Sequence, residues 1–204
     1  MITKETLQSY QKEDLAVLAS NLSSENIARF VTWLSEKADE LRYKTLLTLL
    51  ARSESCPDVY PYWDSFVEKL HSSDSYQRNI GLKLIAENVR WDNQGKFDEI
   101  CDLYLSLCED EKPITARQCI QGLGKVVLFN KKCHASIARK LLSVDLTQRK
   151  ESMRNLLLLD ILSVLVSINK MNKNEEISQY IENALNGDEL DKKAKRAIQT
   201  MLDA

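Results

Sequence analysis

Apolar residues recur along most of the chain at i, i+3, i+4 and i+7, the spacing that gathers them on one face of a helix. Ile27, Phe30, Val31 and Leu34 form one such stripe. Ile80, Leu84, Ile85 and Val89 form a second, and Ile177, Tyr180, Ile181 and Leu185 a third. Strict apolar–polar alternation bounded by turn residues occurs nowhere, so no strand is predicted. The stripes are separated by short polar breaks such as Ser72-Ser73-Asp74, Asp92-Asn93-Gln94-Gly95 and Asn172-Lys173-Asn174. Several of these end in Ser, Asp or Asn, whose side chains accept from the free N–H groups at the start of a helix. The pattern predicts an all-α protein.

The breaks also have a period. Arg78, Arg117 and Arg154 each stand a few residues into the second of two adjacent helices, with spacings of 39 and then 37 residues. Helix pairs are expected at about 25–53, 60–90, 96–128, 131–168 and 175–203, after a short helical segment over 1–22, the whole of 1–204 forming one helical-repeat domain. Helix pairs at this period stack, because one pair alone cannot bury its apolar faces. The expected architecture is an α-solenoid of about five pairs.

An acidic residue in the turn within each pair, followed by an Arg in the second helix, resembles the HEAT/armadillo class of helical repeats. The matching residues are Asp74 with Arg78, Asp110 or Glu111 with Arg117, and Glu151 with Arg154. The resemblance implies that they form a structural ladder of hydrogen bonds between repeats. The segment from Glu111 to Cys119 is also similar to one in short, uncharacterised bacterial HEAT-like proteins. Most of the first helices lack the proline that HEAT repeats often carry.

Composition narrows the functional classes. Lys and Arg total 28 against 30 Asp and Glu, a formal charge of −2, which disfavours a protein that coats nucleic acid. No apolar run approaches a membrane span, and the residues after Met1 show no secretory leader, so a cytoplasmic protein with no membrane partner is expected. Five cysteines with irregular spacing and no C-x-x-C make neither a disulfide framework nor a zinc site. Cys101 and Cys108, seven residues apart, are expected to bury together. The two histidines, His71 and His134, lack nearby nucleophiles or further ligands, and no phosphate-cradling glycine loop or G-x-S-x-G elbow is present. No cofactor, metal or catalytic residue is expected. Gly122 and Gly124 are read as points where a neighbouring helix approaches closely, Trp33 as core and Trp63 as a staple at a helix start.

What remains is a shape without a catalytic constellation, and the function expected is a non-catalytic scaffold that binds a protein or peptide. Second helices lining a concave face would present Asn79 and Lys83 in one repeat and Gln118, Gln121 and Lys125 in the next, with Arg90, Trp91 and Asp92 at the rim. The alternative is a HEAT-like DNA glycosylase for alkylated bases. The family resemblance would give that role to Trp91, Asp92 and Arg117, although such binding wants a basic face.

Overall fold

A computed structural model describes residues 1–203. The described residues form twelve α-helices joined by turns and short 3-10 segments, with no strand. The chain divides into two compact units, Met1–Phe97 and Asp98–Ala204.

The first unit contains α1 (Lys4–Ser9), α2 (Leu15–Ser20), α3 (Ser24–Trp33), α4 (Asp39–Ser55), α5 (Trp63–Leu70) and α6 (Ser75–Asn88). Several of these starts are dictated locally. The side chains of Thr3, Ser23 and Asp74 each accept from a backbone N–H of the first turn. Helices α2, α4 and α6 lie side by side, α3 packs on α4, and α5 packs on α6. The α5–α6 contact is tight at Gly81, where an added Cβ would stand 2.6 Å from the Phe66 carbonyl oxygen. That residue must be glycine because a backbone, not a movable side chain, occupies the space. The segment expected to begin a helix at residue 60 is a 3-10 stretch, Pro57–Tyr62. Trp63 then opens α5 as fully buried core, its ring 5.6 Å from that of Tyr60.

Helix α7 (Lys96–Ser106) begins at the last residues of the first unit, after a turn in which Gly95 takes a φ of 75°. The second unit continues with α8 (Pro113–Phe129), α9 (His134–Leu142), α10 (Glu151–Met171), α11 (Glu175–Asn186) and α12 (Lys192–Asp203). Helix α10 is its axis, touching α8, α9, α11 and α12. Its buried residues, among them Leu157, Leu158, Ile161, Leu162, Val164, Leu165 and Val166, cover about 200° of its circumference, and no position from 157 to 169 is fully exposed. That is the pattern of a helix surrounded by others rather than lying on a surface.

The buried thiols of this unit form two pairs. Cys108 and Cys119 have sulfurs 3.5 Å apart, and Cys119 also donates to the Tyr104 carbonyl at 3.1 Å. Cys133 lies beside Cys101 and donates to the Asp98 carboxylate at 3.5 Å. Cys101 and Cys108 are both buried, Cys108 from the 3-10 turn that follows α7. Gly124 is not a close-approach point, since an added Cβ would find Val164 at an ordinary 3.9 Å.

Candidate functional site

Arginines near the starts of the second helices fall into two geometries, separated by one residue of register. Arg42, Arg78 and Arg154 are each the fourth residue of their helix. Arg78 donates to the carbonyls of Ser72 and Ser73 at 2.8 and 3.0 Å. Arg154 donates to those of Arg149 and Thr147 at 2.8 and 3.0 Å. Arg42 donates to the Glu36 carbonyl at 3.3 Å and the Asp39 carboxylate at 2.5 Å. A guanidinium at this position folds back over the turn that precedes its own helix. Asp74 is close by, but its carboxylate accepts from the Tyr76 N–H at 2.8 Å. Glu151 is exposed at the first position of α10.

Arg117 is the fifth residue of α8, turned about 100° further round the helix. It reaches across to α10, donating from Nε and Nη2 to the two oxygens of Asp160 at 2.7 and 3.2 Å. The acids expected as its partner, Asp110 and Glu111, make contacts within their own turn. Asp110 accepts from the Lys112 N–H at 2.8 Å, and Glu111 lies against the Lys112 ammonium at 3.4 Å. The cross-helix tie in this unit therefore runs through Asp160, which the sequence reading missed because it searched the turns rather than the next second helix.

The triplet at the end of α6 is bonded to its own unit. Trp91 is half-buried, with its indole N–H donating to the Ser53 carbonyl at 2.7 Å. Arg90 donates to the Glu54 carbonyl at 2.7 Å and pairs at 2.8 Å with Glu87, which is fully buried. The Asp92 carboxylate accepts from the Tyr60 hydroxyl at 2.7 Å and from the N–H groups of Lys96 and Phe97 at 3.0 and 2.8 Å. These bonds close the C-terminal end of α4 and open α7. Asn79 and Lys83, one turn apart on α6, are half-buried.

Helix α8 presents a different surface. Gln118 donates to the Gln121 side chain at 3.2 Å, and Gln121 donates to Asp160 at 3.0 Å. Gln121 and Lys125 are exposed. The same stripe continues, at steps of three and four, to Ile114 at one end and to Leu128 and Phe129 at the other, which are 64%, 55% and 48% exposed. The sequence reading took only the polar members. The periodicity that assigned the buried face also marks 114, 118, 121, 125 and 128 as one outward row, and Ile and Leu on that row are the signal.

Neither histidine joins a site. His134 is buried with Nε2 2.8 Å from the Val127 carbonyl oxygen, and His71 caps the end of α5. Among the described residues no group of three or more His, Cys, Asp or Glu is placed to hold a metal ion, and no helix is long and apolar enough to cross a membrane.

This is an all-α, armadillo-like repeat fold. The designed armadillo repeat protein YIII(Dq)4CqI superposes with a TM-score of 0.59 at 11% identity, covering 98% of this chain and 92% of that one. An engineered protein solved by the Northeast Structural Genomics Consortium gives a TM-score of 0.59 at 15% identity, covering 100% and 96%. At such identities the likeness concerns the fold alone. No family model matches the sequence. No curated protein matches it either.

Proposed function

We propose that the chain is a non-catalytic scaffold that binds a protein segment, and that α8 carries the principal contact surface. The observation behind this reading is the outward stripe of α8, apolar at both ends and polar between. From Ile114 to Leu128 the helix rises about 21 Å, which an extended segment of about six residues would span. In such a complex Gln118 and Gln121 would exchange hydrogen bonds with the segment's backbone, while Ile114, Leu128 and Phe129 would take its apolar side chains. Repeat folds of this kind offer extended faces suited to that mode of binding. Asn79 and Lys83 are a smaller polar patch on α6 in the same reading, and Arg90, Trp91 and Asp92 are assigned to the folding of the first unit. The glycosylase alternative gains no support, since the carboxylate of Asp92 and the indole N–H of Trp91 are already bonded within their own unit.

The test is selection of displayed random peptides on the full chain, followed by affinity measurements on Gln121→Ala and Phe129→Ala. Peptides whose affinity falls at least about tenfold with either variant, at unchanged helix content, support the assignment. Selected peptides that bind both variants as tightly as the parent overturn it.

A further inference from the structure

Within the first unit, α3, α5 and the starts of α4 and α6 line an open cleft of about 610 Å³. Lys69 enters it from α5, half-buried, and its ammonium donates to the Ser35 hydroxyl at 3.0 Å and the Gln77 amide oxygen at 2.5 Å. Gln77 is itself held, donating to the Leu34 carbonyl at 2.9 Å. Both partners of the ammonium are neutral. A cation taken partly out of water is ordinarily repaid by a carboxylate at contact distance, and none forms an ion pair with this one. Burial foremost, and Arg42 as a like charge, draw Lys69 below the ordinary lysine pKa, against an opposing pull from Glu68.

Arg42 is the second cation of the cleft, its guanidinium 4.8 Å from the centroid of the exposed Tyr76 ring. Lys37 is a third. Against these stand Glu68 and Asp74 in the lining and Asp39, which pairs with Arg42 at 2.5 Å from the exposed side; the carboxylate of Asp74 is engaged with the Tyr76 N–H, so Lys69 is the half-buried cation of the cleft that no carboxylate pairs. An oriented ammonium, a guanidinium fixed by stacking and nearby hydroxyls suit a compact, multiply charged acceptor better than a lone carboxylate.

We propose that this cleft binds a phosphomonoester, with Lys69 and Arg42 as the cationic contacts and the Ser35 hydroxyl as a further donor. The site is separate from the α8 stripe and does not depend on it. The phosphoryl group has two sources, a free small ester or a phosphorylated serine side chain of another protein, and the same chemistry would hold either.

The experiment titrates the full chain, followed by backbone amide NMR, with glycerol 3-phosphate, with a short peptide carrying one phosphoserine, and with acetate. The expected result is saturable binding at millimolar concentration or tighter, with shifts at Ser35, Lys69 and Gln77. Lys69→Met, which keeps the apolar stem, should weaken binding at least about tenfold, and Lys69→Arg should restore most of it. Should Lys69→Met fail to fold, Ser35→Ala at an exposed position carries the same comparison. Preference for the glycerol ester identifies a free ligand, and preference for the peptide identifies a phosphoprotein. No saturation by either ester up to about 10 mM, an affinity unchanged in Lys69→Met, or acetate binding as tightly as the esters would overturn the proposal.

Discussion

The α4–α6 contact of the first unit and the α8–α10 contact of the second join equivalent helices with opposite chemistry. Along α4, the hydroxyls of Thr45, Thr48 and Ser53 are buried and bond back to carbonyls of their own helix at 2.7 to 2.8 Å. Asn88 of α6 then donates to the Ser53 hydroxyl at 3.0 Å, and Trp91 donates to the Ser53 carbonyl. Helices α8 and α10 bury mainly aliphatic side chains, Val164 of α10 stands opposite Gly124 of α8, and the Arg117–Asp160 fork joins the two helices. The two glycines of these second helices also differ, Gly81 facing α5 and Gly124 facing α10. Gly81 is pressed against a backbone carbonyl, whereas Gly124 has room. The repeat geometry therefore does not require one kind of seam. Asn88 and Trp91 tie α6 and the turn after it to Ser53 in the first unit, and the Asp160 carboxylate gathers Arg117 and Gln121 across the second.

The largest effect that would break this comparison is expected at Gly81. Replacing it by Ala places a carbon 2.6 Å from the Phe66 oxygen, so α5 and α6 must part. A loss of about 2 kcal/mol is expected in denaturant melts, outweighing the roughly 1 kcal/mol by which Ala is the better helix former. Next in size is the coupling between Arg117 and Asp160, whose side chains are 26% and 10% exposed. A double-mutant cycle to Ala should return about 1 kcal/mol, and a coupling near zero would remove the fork from the account of the second seam. The smallest effect is a gain. Gly124→Ala meets only Val164 at 3.9 Å, so it should stabilise by about 0.5 kcal/mol, raising the midpoint where the equivalent change at Gly81 lowers it.

The helices were legible in the sequence because each needs only a stripe, a cap and a break, and all three are local. Asp74 and Asn174 end polar breaks in the sequence and act as caps. The repeat period was legible from the arginines. Their partners were not, because a shift from the fourth to the fifth helical position turns a guanidinium from its own turn to the neighbouring helix. Sequence spacing alone does not say where a helix begins to within one residue. The Arg90-Trp91-Asp92 triplet carries a structural part that its composition does not announce. An aromatic beside a cation and a carboxylate has the composition of a recognition site, and the bond from Trp91 to Ser53 spans 38 residues that local spacing does not link. The outward apolar ends of α8 were written in the same periodicity as its buried face, yet apolar residues were read only as core.

The distribution of thiols gives the molecule a built-in clock for its own breathing. Cys56 is the only cysteine of the first unit and is half-buried, while the other four lie paired and buried in the second. Burial first, together with its bond to Cys108, keeps the Cys119 thiol protonated well above its ordinary range. An alkylating reagent should therefore modify Cys56 on the timescale of surface encounter. It should reach the remaining four only as often as the second unit opens, so a single labelling time course records surface access in one unit and transient unfolding in the other.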